Sequence, residues 1–319
     1  MSDVIKNRSE ILFLYDVKDS NPNGDPLDEN KPRIDEETMR NIVTDVRLKR
    51  TIRDYLNKYK NKEIFVKSVK NEDGSIRTRL NRLEDLKITT KNDVIEKCID
   101  VRLFGATIAV KDKKKKEDTD EKEKKSITFT GPVQFKIGRS LHRVNPKFIK
   151  GTTVFPGDDE KIKYQGTFTE MYVLPYSLIC FYGVVNENAA KDTKLTEEDV
   201  KSLLDGLWNG TKNLITRSKV GQMPRLLLKI NYKEKNYHIG DLNALMKLES
   251  DKREEEIRDA SDYTLNVTSL LRALSDNRDK VKDVDLSIDP VLQFTCDGKP
   301  APLGEILQSC GLTVNTLRL

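Results

Sequence analysis

The 319-residue sequence contains no long apolar run and no recognisable targeting segment. Its most apolar stretch, residues 173–185, is interrupted by Pro175, Tyr176 and Ser177, whereas a membrane-spanning helix needs about 20 apolar residues. Residues 1–8 contain no apolar core of the kind that a secretory signal requires. These absences predict a cytoplasmic protein that does not bind a membrane.

Residues that commonly bind metals are scarce. There are four cysteines, at positions 98, 180, 296 and 310, and two histidines, and none has the short spacing of a zinc site. No glycine-rich phosphate loop occurs. Residues 19–24, Asp-Ser-Asn-Pro-Asn-Gly, match the opening of a calcium loop, but its twelfth position is Asn30, where a bidentate glutamate is required. We interpret this segment as an ordinary turn, and we predict no metal and no cofactor.

Aromatic and apolar residues are also few, at 7 % and 36 %, whereas charged residues make up 34 %. Lys and Arg number 57 and Asp and Glu number 52, so the net charge is only +5. Such a small excess does not by itself predict a nucleic-acid partner. Whether the excess indicates such a partner therefore depends on where the basic residues lie along the chain.

The basic excess concentrates in one predicted helix. Between positions 45 and 62 lie seven basic and two acidic residues. Thr44 is the predicted N-cap, and positions 48, 52, 55, 56 and 59 form one apolar face. Lys49, Arg50, Arg53 and Lys60 form a second stripe. Taken alone, this stripe fits a solvated helix face as well as it fits a binding surface.

Two further basic segments favour binding of a phosphate backbone. Residues 138–143 read Gly-Arg-Ser-Leu-His-Arg, and residues 217–222 read Arg-Ser-Lys-Val-Gly-Gln. Arginine, lysine and serine side chains all donate hydrogen bonds to phosphate oxygens. For His142 alone, a packed or surface histidine is the favoured interpretation.

The predicted elements give the fold class. The predicted order is a strand at 11–17, a helix after Thr44, two strands at 127–137 and 167–185, a helix after Thr196 and a strand at 226–232. This order, βαββαβ, predicts an α+β protein with a ferredoxin-like, RRM-like core. Large insertions are predicted at 61–125 and 138–166, and an extension at 233–319 is predicted to pack on the core. Residues 111–125, with eight lysines and six acidic residues, predict a loop without a specific binding role.

Six short motifs occur in a fixed order. They are Asn-Pro-Asn-Gly-Asp-Pro at 21–26, Pro-Arg-Ile-Asp at 32–35, Val-Thr-Asp-Val-Arg-Leu-Lys-Arg at 43–50, Asp-Val-Arg-Leu-Phe-Gly at 100–105, Gly-Pro-Val-Gln-Phe at 131–135 and Arg-Ser-Lys at 217–219. Over about residues 8–250 the chain thus resembles the Cas-seven (Csh-two) family, the backbone subunits of type I-B CRISPR Cascade surveillance complexes.

The resemblance implies an RRM-like palm with fingers at 61–125 and a thumb at 138–166. It implies that copies of the chain form a helical filament along a CRISPR guide RNA, with other Cascade subunits, and support pairing of the guide with a target DNA strand. It implies no catalytic residue. The residues that would contact the guide are Asn21, Asn23, Arg47, Lys49, Arg50, Arg53, Arg139, Ser140, His142, Arg217, Ser218 and Lys219.

Two other functions stay open. Related backbone subunits of type III effector complexes cut target RNA with an aspartate in the loop after the first strand, and this chain has Asp19 and Asp25 there. Such carboxylates can hold Mg²⁺ for phosphodiester cleavage. Alternatively, the chain is a self-assembling structural protein whose basic helix contacts protein.

Overall fold

The computed structural model describes residues 3–71, 73–110, 125–156, 166–300 and 302–319. The Lys/Glu tract at 111–125, except for its last residue, and the middle of the segment at 138–166 therefore lie outside the described residues. Within them, no helix is both long and apolar enough to span a bilayer.

The described chain contains both helices and strands, with the following bounds. The α-helices are α1 Asp45–Lys60, α2 Arg79–Asp85, α3 Lys91–Lys97, α4 Ile99–Phe104, α5 Glu187–Thr193, α6 Glu197–Lys212, α7 Thr268–Asp276 and α8 Leu303–Ser309, with 3-10 turns at Leu242–Leu245, Glu254–Glu256 and Ala260–Asp262. The strands are β1 Ser9–Ser20, β2 Gly24–Asp25, β3 Lys31–Pro32, β4 Ile34–Asp35, β5 Arg40–Val43, β6 Gly105–Val110, β7 Lys125–Thr130, β8 Val133–Phe135, β9 Gly138–Arg143, β10 Lys147–Pro156, β11 Gly166–Val185, β12 Met223–Tyr232, β13 Lys247–Glu249, β14 Thr264–Asn266, β15 Val281–Ile288, β16 Phe294–Cys296, β17 Lys299–Pro300 and β18 Val314–Thr316.

Strand β1 is at the centre of the main sheet. The strand order is β18-β15-β12-β1-β11-β9-β5-β4, and β8 and β10 also pair with β11. The apolar run at 11–17 is buried on both faces: Ile11 and Phe13 belong to one hydrophobic core, and Leu12 and Leu14 to the other. Side chains alternate across a strand, so a continuous apolar run fits a sheet covered on both sides. The predicted strand and the α+β class are confirmed.

Helices α1 and α6 cover one face of the sheet. The Thr44 hydroxyl accepts a hydrogen bond from the Arg47 backbone N–H at 3.2 Å, as the predicted N-cap requires. The two helices pack closely at Gly206, where an added Cβ would lie 2.9 Å from Cγ2 of Ile52. Tyr59, predicted on the apolar face, is instead 54 % exposed, because it lies in the last turn of α1, beyond the buried part of that face.

The C-terminal residues cover the other face. Strand β15 pairs antiparallel with β12 and widens the sheet. Leu265, Leu270 and Leu274 lie in the same hydrophobic core as Leu12 and Leu14 of β1. The buried apolar residues of this C-terminal segment thus pack against the sheet.

Residues 61–71, 73–110 and 125–130 form what we call the insertion module. It contains helices α2 to α4 and the β6–β7 hairpin. Phe65, Leu83, Val94, Ile95 and Val101 are buried in a small hydrophobic core of its own. This insertion, although rich in polar residues, therefore has a structured interior.

The segment at 138–166 differs from the prediction. Residues 138–143 form β9, which lies in the main sheet between β11 and β5. Gly138, Ser140 and His142 are buried and alternate with more exposed residues, as expected of such a strand. The hairpin formed by β10 and β11 begins only at Lys147.

Candidate nucleic-acid interface

The cations of the predicted stripe on α1 are all paired within the chain. Each lies within ion-pair distance of a carboxylate, on α1 itself or on a neighbouring helix. The nitrogen–oxygen distances are 2.9 Å for Lys49–Asp45, 2.8 Å for Arg50–Asp54, 3.0 Å for Arg53–Asp100 and 2.7 Å for Lys60–Asp205.

The Arg53–Asp100 pair is internal to the protein. The Arg53 side chain is 12 % exposed and that of Asp100 is fully buried. Asp100 also accepts hydrogen bonds from the backbone N–H groups of Phe65 and Val66, at 2.8 and 3.0 Å. The Arg53 guanidinium lies over the Phe104 ring, 5.0 Å from its centroid. Arg53 therefore joins α1 to the insertion module, and we exclude it from the proposed RNA contacts.

Asn23 also has a structural position. Its side-chain oxygen accepts hydrogen bonds from the backbone N–H and the hydroxyl of Thr44, at 2.9 and 3.0 Å. It thus ties the loop after β1 to the start of α1. Among the described residues, its side-chain amide donates one hydrogen bond, to the Gly24 carbonyl at 3.4 Å.

Ser140 and His142 are enclosed in the protein. The Ser140 hydroxyl donates to the His142 carbonyl and accepts from the Asn41 N–H. The His142 ring accepts from the Leu178 N–H at 3.2 Å, and burial lowers its pKa, so it is neutral at pH 7. Because both residues are 1 % exposed or less, we exclude them from the proposed contacts. Arg139 is half-exposed and pairs with Asp35 at 2.6 Å.

A different set of cations lies where α1, α6 and the loop after α6 meet. This α1–α6 groove has a volume of about 240 Å³ and is lined by Arg47, Lys58, Tyr59, Thr216 and Lys219, among others. None of its three cations pairs with a carboxylate of the described chain. Asp54 is the one acidic residue among the described residues that line the groove. It accepts hydrogen bonds from Arg50 on both its oxygens, at 2.8 Å.

The loop after β1 contacts the α1–α6 groove at Lys219. The Lys219 ammonium donates to the Asn21 carbonyl at 2.7 Å, and the Asn21 N–H donates to the Ser218 carbonyl at 2.8 Å. The Arg47 guanidinium donates to the Thr51 hydroxyl at 3.2 Å. The buried side-chain oxygen of Asn21 has no partner among the described residues.

The two inner cations repel each other. Burial and the nearby positive charge of Arg47 lower the pKa of Lys219 to about 8, and burial lowers the pKa of Arg47. A lysine takes such a value when its charge is poorly solvated and not neutralised by an anion. The groove can thus stabilise an added oxyanion.

A family model described as CRISPR-associated protein Cas7 matches residues 7–268. The chain belongs to the Cas7 family. A relative from Haloferax volcanii, "CRISPR-associated protein Cas7", is 35 % identical over 318 residues, which span 90 % of this chain and 88 % of the relative. A solved chain named "CRISPR RNA-guided surveillance complex, pre-nicking" shares the fold, with a TM-score of 0.53 and 10 % identity over 96 % of this chain and 99 % of that one. The predicted family is confirmed, and type I-B membership stays a prediction.

Sequence reasoning missed part of the groove of this Cas7 family member. It placed Arg47, Lys219 and Asn21 among the candidates, and the structure brings these three together. Arg217 lies two residues before Lys219 in the same loop and is exposed. Lys58 and Tyr59 were not chosen, although Tyr59 lies four residues after Tyr55 and stacks on its ring, with the centroids 5.3 Å apart. That spacing is a signal for ring stacking on a helix.

The acidic loop after β1 was the basis for the nuclease alternative. Asp25 pairs with Arg33 at 2.8 Å and accepts the Leu27 N–H at 3.0 Å. Asp19 is exposed, on backbone with a φ of 46°. Among the residues that the structure describes, no group of three or more His, Cys, Asp or Glu side chains could hold a metal ion.

Proposed function

We propose that this Cas7 family chain is a guide-RNA-binding backbone subunit of a CRISPR surveillance complex, and that the α1–α6 groove holds the phosphates of the RNA. The observation that carries the proposal is the pair of half-buried cations, Arg47 and Lys219, that face the groove without a carboxylate partner in the described chain. Phosphate oxygens are suitable acceptors for both.

The neighbouring groups fit a ribose–phosphate strand. Lys58 adds positive charge to the groove, the exposed Arg217 follows its lining residue Thr216, and the exposed Tyr59 ring offers a surface on which any base can stack. A subunit that holds guides of many sequences needs contacts to phosphate and sugar, while base pairing reads the target. The proposed partners, besides the guide RNA, are further copies of the chain in a filament, a target DNA strand and other Cascade subunits.

We also propose that the core of the sheet is the ferredoxin-like palm of this family. The order β12-β1-β11-β9, with every neighbouring pair antiparallel, supports it. Helix α1 follows the first of these strands along the chain and α6 precedes the last, and both lie on one face, as in a βαββαβ unit. The insertion module and the β10–β11 hairpin would then be the fingers and the thumb.

Loss of the two groove cations tests the RNA-binding proposal. We expect Arg47→Ala with Lys219→Ala to weaken binding of a labelled mixed-sequence RNA by about 100-fold, because two charge-assisted hydrogen bonds are lost. The matched control is Lys60→Ala with Arg272→Ala, which removes two exposed cations that are already paired. Thermal unfolding checks that both double variants are folded. Equal RNA affinities of the two folded variants would refute the proposal.

We propose further that the chain is not an enzyme. The test is incubation of the purified, RNA-loaded particle with complementary RNA and Mg²⁺. Regularly spaced cuts that disappear in Asp19→Ala or Asp25→Ala would establish the type III-like nuclease instead. Assembly that proceeds equally well after nuclease treatment would favour the self-assembling structural protein.

A further inference from the structure

A second cationic cavity lies in the insertion module, beside α1. Its volume is about 250 Å³, and five of the residues that line it are basic: Arg50, Lys67, Arg77, Arg79 and Arg82. None of the described residues that line it is an aspartate or a glutamate. We call this cavity the insertion pocket.

The charges around the insertion pocket do not balance. Three carboxylates outside the lining pair with four of its five cations: Asp54 with Arg50, Glu63 with Lys67 and Arg82, and Asp85 with Arg77. Arg79 has no carboxylate partner in the described chain, and its guanidinium donates to the Thr107 carbonyl at 3.2 Å. Five cations against three carboxylates leave a local excess of two positive charges.

Hydrogen bonding in the insertion pocket is also incomplete. The Nε–H groups of Arg77 and Arg82 are buried and have no acceptor among the described residues. Arg82 as a whole is only 9 % exposed. A buried donor without an acceptor is costly, and a guanidinium whose fork is only partly used can bind an oxyanion at two points. Both observations indicate a missing anionic acceptor.

The insertion pocket continues the surface of the α1–α6 groove. Arg50, which lines the pocket, lies three residues after Arg47, which lines the groove. Residues three apart are neighbours on a helix surface, with their Cβ atoms about 5–6 Å apart. The two cavities are therefore lined by neighbouring cations of one helix, and Asp54, which lines the groove, accepts hydrogen bonds from Arg50 of the pocket.

We propose that the insertion pocket binds a phosphate of the same RNA strand that the α1–α6 groove holds. Arg79 and Lys67 supply the charge at the mouth, and a turn of the Arg77 and Arg82 side chains brings their Nε–H groups to the phosphate oxygens. The identity of the strand rests on the proposed function. The insertion module then acts as a second grip on the guide.

The test uses Lys67→Ala with Arg79→Ala in the full chain, and a labelled single-stranded RNA of mixed sequence over about 50 to 200 mM salt. We expect about tenfold weaker binding at low salt, and a slope of log affinity against log salt that is shallower by about 0.7, since the pocket holds one phosphate and each neutralised phosphate of a single strand contributes about 0.7. The control Arg272→Ala with Lys282→Ala removes two exposed, paired cations from the C-terminal region and should bind like wild type.

The outcomes separate this inference from the proposed function. If the wild-type chain does not bind RNA, the proposed function fails. If wild type binds, the groove variant is weakened and the pocket variant keeps wild-type affinity and slope, the inference alone is overturned. Should the double variant unfold, the single change Arg79→Gln at the mouth is expected to make the slope shallower by up to about 0.7, and an unchanged slope there overturns the inference.

Discussion

Helix α1 carries two sets of cations that a sequence cannot tell apart. Lys49, Arg53 and Lys60 pair with carboxylates, one of them fully buried. Arg47 and Lys58 face the α1–α6 groove, where no carboxylate of the described chain pairs with them. The comparison shows that one helix can carry both kinds of basic residue. Some stabilise the fold through internal ion pairs, and others stay available to bind a ligand. The set to which a cation belongs depends on whether folding brings a carboxylate close to it.

The largest expected effect concerns the internal set. Arg53→Ala leaves the buried Asp100 without its cation, and removing one partner of a buried pair costs about 3–5 kcal/mol. We therefore expect a large fall in the free energy of unfolding, measured by urea denaturation. The double change Arg53→Ala with Asp100→Asn should recover part of the loss. A decrease below about 1 kcal/mol would show that Arg53 is not a structural cation.

The second prediction concerns the groove. Tyr59→Ala removes an exposed ring, and base–aromatic stacking contributes about 1–3 kcal/mol per base. We expect RNA affinity to fall by about 5- to 100-fold while the free energy of unfolding changes little. Tyr59→Phe should retain affinity, because stacking needs the ring and not the hydroxyl. Equal affinities of the alanine variant and wild type would show that the Tyr59 ring does not contribute to RNA binding.

The third prediction uses the lowered pKa of Lys219. Phosphate favours the charged ammonium, so binding draws a proton to Lys219 once the pH exceeds its pKa of about 8. RNA affinity should fall about tenfold between about pH 7 and about pH 9. Lys219→Arg should abolish this dependence, since arginine stays charged. A pH dependence unchanged in that variant would contradict the assignment.

The same pKa makes an opposite prediction for the free chain. The folded chain binds fewer protons at Lys219 than the unfolded chain between about pH 8 and the ordinary lysine value of 10.5. Stability without RNA should thus rise, and not fall, as the pH increases through that range. Urea denaturation of wild type and Lys219→Arg at several pH values measures this contribution.

The smallest effect on RNA binding is expected for Lys49, whose side chain is 12 % exposed and pairs with Asp45 on the same helix. Lys49→Ala removes an ion pair between residues four apart on α1, and such pairs contribute about 0.3–0.5 kcal/mol. RNA affinity should stay within about twofold of wild type. If Lys49→Ala weakens RNA binding as much as Arg47→Ala does, pairing within the chain does not distinguish the two sets.

Local signals in the sequence predicted several elements correctly. The apolar run at 11–17 became the central strand, and Thr44 and Thr196 cap α1 and α6. These features depend on neighbours within a few residues. Residues 127–137, predicted as one strand, are divided into β7 and β8. Gly131 lies at the break, where an added Cβ would be 2.2 Å from the Phe104 backbone, a close approach that no local pattern reports.

The candidate site was predicted only in part, because its composition depends on distant residues. The groove combines α1 with the loop after α6, more than 150 positions later, and Asn21 joins them through Lys219. The partners that occupy Arg53 and Lys60 are Asp100 and Asp205. Ser140 and His142 looked like surface donors in a basic segment, but β9 places them inside the sheet.

By itself, the sequence determined the family, the α+β class, the central strand and the capped helices, since these follow from motifs and from apolar periodicity over short distances. The tertiary structure decided which cations are free. A charge is neutralised by whatever lies within a few ångströms of it, and the fold, not the order of residues, sets those distances.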